Sequence, residues 1–83
     1  MTQTDEYARE IENHIPDARA SVTGDGSHFT ATVVSDAFEG KSLLTRHRMV
    51  NAALEDRIKS GEVHALAIRA HTTAEWQQAS GES

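Results

Sequence analysis

The sequence predicts an α/β domain of the α+β type, in which helices cover one face of a three-stranded mixed sheet. The predicted order is helix, strand, strand, helix, strand, short helix. Two neighbouring segments alternate apolar and polar residues, a sixteen-residue segment repeats apolar residues at helical spacing, and a short apolar run follows it. Because a strand, a crossover helix and a second strand in one sheet form a right-handed unit, the second and third strands should be parallel neighbours. The first strand should then pair antiparallel with the second.

Local patterns predict the first helix and a hairpin. Residues 4–15 carry apolar side chains at helical spacing, Thr4 or Asp5 can cap the helix, and Pro16 stops it. The apolar positions are Tyr7, Ala8, Ile11 and Ile15. Residues 20–23 and 29–34 alternate as half-buried strands do, and the Gly24-Asp25-Gly26 segment between them tolerates positive φ.

The second half of the chain predicts a long helix, a central strand and a short helix. Residues 36–39 form a separate helical turn before a break at 40–42, and one helix then runs over 43–58 until Ser60-Gly61 ends it. Its apolar stripe consists of Leu43, His47, Val50, Leu54 and Ile58. Residues 63–68 have the length and apolar density of a central strand. Thr72 or Thr73 should cap a helix over 74–79, with Trp76 packed onto the core.

Composition places the chain among ordinary globular proteins and removes several kinds of chemistry. The 83 residues, of which 37% are hydrophobic and 25% charged, allow one domain over 1–83 with an ordered core at about 5–79 and frayed termini. Because there is no cysteine, disulfides, thiolate nucleophiles and cysteine-held metal sites are excluded for this chain. No apolar run approaches a membrane span, and we expect a cytoplasmic protein without a membrane partner.

The charge pattern leaves one basic segment in an acidic chain. The net charge is -5, yet residues 41–59 sum to +3 and include Lys41, Arg46 and Arg48. Gly40-Lys41-Ser42 lacks the earlier glycine of a phosphate-binding loop, because Ser35 stands there. No catalytic constellation accompanies these residues, so the sequence predicts neither an enzyme nor a small-molecule substrate.

Two of the five histidines stand at predicted strand starts. His28 opens the second strand and His64 opens the third. If those strands are parallel neighbours, the two imidazoles lie at the same end of the sheet and can face one ligand. Two imidazoles without a thiolate cannot complete a four-ligand site, so any metal centre would be shared with another molecule. The alternative is that His28 ends a loop and His64 is an ordinary core or edge histidine.

Six motifs, taken together, resemble the BolA family over residues 7–76, and the short hairpin loop is most similar to the IbaG branch. The ordered set is more specific than any single motif. The motifs are Gly24-Asp25-Gly26-Ser27-His28-Phe29, Val33-Val34-Ser35, Phe38-Glu39-Gly40-Lys41-Ser42, Arg46-His47-Arg48, Val63-His64-Ala65-Leu66-Ala67-Ile68 and Glu75-Trp76.

The resemblance implies a class II K-homology fold and a role beside a monothiol glutaredoxin. Members of that family form a heterodimer with the glutaredoxin and share a 2Fe-2S cluster whose other ligands are the glutaredoxin cysteine and glutathione. His64 matches the family histidine of the His-Ala-Leu motif, and His28 is the available candidate for the second ligand, which the family takes from the hairpin loop. The implied role is a non-enzymatic iron–sulfur adaptor in cluster trafficking, maturation or iron and redox regulation.

The resemblance also implies a second class of function. The family is linked to the stress response, transcription regulation and DNA binding, and in that role Lys41, Arg46 and Arg48 would contact DNA. In a metal-free heterodimer, Lys41, Arg46 and the Phe38 region would instead contact the protein partner.

Overall fold

A computed structural model describes residues 2–26 and 28–80. The element order is α1 (Gln3–His14), β1 (Arg19–Asp25), β2 (His28–Val34), a 3₁₀ turn (Asp36–Phe38), α2 (Leu43–Ala53), α3 (Glu55–Lys59), β3 (Ala65–His71) and α4 (Thr73–Ser80). The α+β class and the order of strands and helices are confirmed. Fraying is predicted for Ser80 to Ser83, but Ser80 is the last residue of α4. Residues 81–83 lie outside the described residues, as do Met1 and Ser27.

The sheet has the predicted pairings, and its order is β1-β2-β3. β1 pairs antiparallel with β2, and β2 pairs parallel with β3. The prediction of a central third strand is therefore wrong, because β2 is central and β3 lies at an edge. The apolar density of 63–68 comes partly from small alanines, and Ala65 and Ala67 are exposed. Leu66 and Ile68 pack against the core, and the alternating Ala65 and Ala67 lie on the opposite face of the sheet.

One hydrophobic core lies between the sheet and the helices. The alternating residues Phe29, Ala31 and Val33 of β2 point into it, and α1 contributes Tyr7 and Ile11. A T-shaped contact between the rings of Tyr7 and Phe29, at 5.3 Å between centroids, joins α1 to the central strand. No helix among the described residues is long and apolar enough to cross a membrane.

The predicted helix over 43–58 is interrupted at Leu54. Its backbone leaves helical geometry at φ -111° and ψ 20°, and its N–H donates to the carbonyl of Asn51. The interruption keeps the Leu54 side chain in the core, while Leu43 and Ile58 at the two ends of the predicted stripe are 65% and 36% exposed. The predicted stripe is thus buried only in its middle.

The helix caps differ from prediction at one end of the chain. The Thr2 hydroxyl accepts from the Asp5 N–H and the Asp5 carboxylate accepts from the Thr2 N–H, so Thr2, rather than Thr4 or Asp5, caps α1. Thr72 caps α4 through the same reciprocal pair with Glu75. Trp76 is 41% exposed and lies outside the core cluster, with its ring against His71 at 5.6 Å. The prediction that Trp76 packs onto the core is therefore wrong, because its contact is with the end of β3.

The hairpin depends on close backbone approach at Gly24. This residue has φ +139° and pairs with Phe29, and a Cβ built on it would lie 2.8 Å from the Cα of Phe29 and closer still to the carbonyl oxygen of His28. Both features exclude a side chain, since the φ is disfavoured and the space is filled by backbone.

Gly24→Ala should lower the free energy of unfolding by about 3 kcal/mol, because the added methyl both clashes and strains the backbone. Gly40→Ala is the matched control, with φ +74° and nothing near the added atom, and should cost about 1 kcal/mol. Urea titration followed by circular dichroism measures both. Equal losses would contradict the role given to close packing at Gly24.

Candidate metal centre

The two histidines singled out from the sequence lie at the same end of the sheet. His28 is the first residue of β2 and pairs with Ala65, the first residue of β3. His64 directly precedes Ala65, and adding one strand spacing to one Cα–Cα step places the Cα atoms of His28 and His64 within about 9 Å of each other. Both side chains are exposed. The two exposed histidines therefore share one end of the sheet, and their binding of a common ligand stays a prediction.

The backbone on either side of His64 is fixed. On one side the buried Val63 donates its N–H to the carbonyl of Arg57 at 3.0 Å, and on the other side Ala65 enters the ladder with β2. Glu62 accepts a hydrogen bond from the Tyr7 hydroxyl at 2.6 Å and pairs with Arg57 at 3.2 Å. The loop that carries His64 is thus attached to α1 and α3.

Tyr7 connects the two histidine-bearing segments. Its hydroxyl bonds to Glu62, two residues before His64, and its ring packs on Phe29, the residue after His28. Burial, with the hydrogen bond and the charge of Glu62, raises the pKa of Tyr7 to about 12, and the same hydrogen bond is the main cause of a lowered pKa at Glu62. Tyr7 therefore stays a neutral donor to a carboxylate at physiological pH.

Arg57 completes this network. Its guanidinium donates to both Glu10 and Glu62 and lies over the Tyr7 ring, 5.5 Å from its centroid. The hydrogen bonds that Arg57 donates to Glu10 are the largest cause of a raised pKa at Arg57, so the cation is permanent. Sequence reasoning found Tyr7 only as an apolar helix position. The available signal was that a buried tyrosine needs a partner for its hydroxyl.

The two histidines at this end of the sheet would provide half of the ligands of a four-ligand metal site. Within residues 2–26 and 28–80, no group of three or more histidine, cysteine, aspartate or glutamate side chains could hold a metal ion. His28 and His64 are the two candidate ligands at this end of the sheet, and imidazole suits iron, copper and zinc. A four-ligand centre at this place needs two ligands from another molecule.

The residues predicted to contact DNA or a protein partner differ in their exposure. Arg46 is 8% exposed, and Phe38 is fully buried in the core. Phe38 therefore offers no surface to a partner, and the Arg46 guanidinium is engaged within the chain. Lys41 and Arg48 are exposed.

The Arg46 guanidinium joins four parts of the fold. It donates to the Glu75 carboxylate at 2.7 and 3.3 Å, to the carbonyl of Ala70 at 3.2 Å and to the carbonyl of Lys41 at 3.0 Å, and it lies over the Phe38 ring. A planar guanidinium can satisfy several acceptors in this way. The hydrogen bonds from Arg46, followed by that from the Thr72 N–H, lower the pKa of Glu75 to about 2.

Comparisons with known proteins agree on one family. The family described as BolA-like protein matches residues 6–75. Protein BOLA2 of Arabidopsis thaliana is 56% identical over 61 residues, which are 72% of this chain and 63% of that protein. The DNA-binding transcriptional regulator BolA of Vibrio cholerae is 50% identical over 60 residues, 72% of this chain and 56% of that protein. The aligned part of this chain thus spans less than two thirds of either relative.

A solved structure agrees with the fold. A BolA protein homologue from Coxiella burnetii superposes with a TM-score of 0.80 and 39% sequence identity, and the match covers 92% of this chain and 97% of that one.

Glu75→Gln should destabilise the protein at neutral pH and flatten its stability between pH 5 and pH 2. The folded pKa of about 2 lies below the ordinary value of 4.5, so the stabilisation is present above pH 4.5 and is lost as the pH falls through 2. Urea midpoints at pH 7 and pH 3 measure the effect, with the exposed Glu39→Gln as control. A Glu75→Gln midpoint equal to wild type at pH 7 would contradict the role of the Arg46–Glu75 pair.

Proposed function

This chain belongs to the BolA-like family, and from that membership we propose that it is a non-enzymatic adaptor that shares a 2Fe-2S cluster with a monothiol glutaredoxin and glutathione. The observation that carries the proposal is the pair of exposed histidines at the starts of two parallel neighbouring strands. Two ligands supply one half of a site, and a partner supplies the rest.

The ligand chemistry supports sharing rather than permanent storage. In the proposed complex His64 and His28 hold one iron, and thiolates of the glutaredoxin cysteine and of glutathione hold the other. The cluster supplies one-electron chemistry and a transferable iron–sulfur unit when bound. Histidine in place of cysteine raises the potential of a 2Fe-2S centre, because a neutral ligand replaces an anionic one.

The chain's own contribution is to present two imidazoles at a fixed spacing on an open surface. The buried Val63 and the Tyr7–Glu62–Arg57 contacts fix the backbone beside His64, and the Gly24–Phe29 pairing fixes the backbone beside His28. Rigid ligands favour a defined coordination geometry. Exposure of both histidines leaves room for a second protein to approach.

His64→Ala should abolish the mixed cluster, because one iron loses a ligand, and His28→Ala should weaken it or alter its spectrum. Each variant is co-expressed with a monothiol glutaredoxin, and the purified complex is examined by visible absorption and circular dichroism. His14→Ala, an exposed histidine at the end of α1, is the matched control and should behave as wild type. The free energy of unfolding of each variant should stay within about 0.5 kcal/mol of wild type, since exposed side chains contribute little to stability. An unchanged cluster spectrum in His64→Ala would remove His64 from the ligand set.

A second candidate function is DNA binding. It is favoured by the exposed cations Lys41 and Arg48 and by a relative that is named as a DNA-binding transcriptional regulator. Arg46 does not contribute, because its guanidinium is engaged by Glu75 and by two carbonyls. Recognition would rest on a small number of phosphate contacts.

If the second function operates, Lys41→Ala with Arg48→Ala should weaken binding to duplex oligonucleotides regardless of sequence. It should also reduce the slope of log affinity against log salt by about 1.8, since each phosphate contact contributes about 0.9. Fluorescence anisotropy of a labelled duplex at several salt concentrations measures both. The double variant Arg9→Ala and Arg19→Ala removes the same charge from exposed positions elsewhere and serves as control. Equal salt slopes for the two double variants would exclude this surface.

A further inference from the structure

The outer edge of β3 presents backbone groups to which no other described residue bonds. The Ser35 N–H donates to the carbonyl of His71 at 2.9 Å, so His71 directs its backbone groups towards β2, whereas the carbonyl of Ala70 points away and accepts from Arg46. Direction alternates along a strand, and Leu66 and Ile68 therefore also direct N–H and C=O outwards. Among the described residues, none bonds to these outward groups of Leu66 and Ile68.

The opposite edge of the sheet is better protected. At β1 the outward N–H of Ala20 donates to the Glu12 carboxylate at 3.0 Å, and α1 packs along that strand. At β3 the corresponding protection is limited to Ala70, where Arg46 occupies the carbonyl. The open part of the edge is thus confined to 66–68.

This open part lacks the features by which proteins usually block edge pairing. Residues 65–68 contain no proline and no charge, and the first charged residue of β3 is Arg69. Ala65 and Ala67 are exposed, while Leu66 and Ile68 are half-buried. An apolar edge without a lysine, a proline or a bulge is a surface on which another strand can pair.

We propose that β3 pairs antiparallel with β3 of a second copy of this chain, around a twofold axis at Ala67. In this register Leu66 of one copy faces Ile68 of the other, and the two symmetric pairs form four backbone hydrogen bonds. A six-stranded sheet results. A register centred on Ile68 would instead need the carbonyl of Ala70, which Arg46 holds.

The chemistry of this strand favours a second copy as the occupant. The free backbone groups are placed symmetrically about Ala67, so the edge is its own complement. Ala67 faces Ala67 of the second copy, and Arg69 falls opposite Ala65 of that copy, so neither bulk nor like charge opposes the pairing. Each chain carries a net charge of -5, and repulsion between copies should weaken as salt is added. This salt dependence is opposite to that of phosphate binding.

Sedimentation velocity of the full chain at concentrations up to about 1 mM tests the proposal. Wild type should show a monomer–dimer equilibrium that strengthens with salt, and Ala67→Arg and Ala67→Asp should each be monomeric. A mixture of the two variants should associate again, because opposite charges then meet across the axis. Thr23→Arg, an exposed position on β1, is the matched control and should dimerise as wild type does.

Monomeric wild type at every concentration would overturn the proposal, as would dimers of Ala67→Arg equal to wild type. Failure of the mixed variants to associate would overturn the register. Hydrogen exchange of wild type gives an independent measurement that needs no substitution. The amides of Leu66 and Ile68 should become protected as concentration rises, and unchanged exchange at those two amides would contradict the pairing.

Discussion

The parallel register between β2 and β3 is the constraint on which the rest of the structure depends. It pairs His28 with Ala65, brings His64 beside them, and leaves β3 as an edge strand. A parallel neighbour requires a crossover, and the 3₁₀ turn, α2 and α3 provide it across the face that carries the core. The topology therefore determines the candidate site. Two residues that are 36 positions apart in the chain lie at the same end of the sheet, because their strands start there.

Each end of this strand pair is held by an arginine network. At the end where the strands begin, Arg57 joins Glu10 and Glu62 next to the Tyr7 hydroxyl, and at the other end Arg46 joins Glu75 to the carbonyl of Ala70. Three cations of the basic segment, Arg46, Arg57 and Lys59, are thereby paired with carboxylates inside the chain. The positive charge available to a nucleic acid is therefore smaller than the net charge of this segment, because carboxylates of the chain neutralise much of it.

Sequence reasoning reached the fold through features that are local or periodic. Alternation in 29–34 and the glycine turn identified the hairpin, and the crossover rule then placed His28 and His64 at one end of the sheet. The break at Leu54 was not predicted, because the apolar spacing of the sequence continues through it. The burial of Arg46 was not predicted either, since it depends on Glu75, which is 29 positions away in the sequence. Tyr7 followed the same pattern: its helical position was predictable, but its contact with Glu62 was not.

The central claim is that imidazole nitrogens of this chain bind the iron of a shared cluster. The most direct measurement is pulsed electron paramagnetic resonance of the reduced complex, prepared from this chain labelled with ¹⁵N-histidine and an unlabelled monothiol glutaredoxin. If both histidines bind the cluster, strong couplings from two ¹⁵N nuclei should appear, with one lost in His64→Ala and one in His28→Ala. A cluster spectrum without ¹⁵N coupling would contradict the central claim, because every ligand would then come from the partner and glutathione.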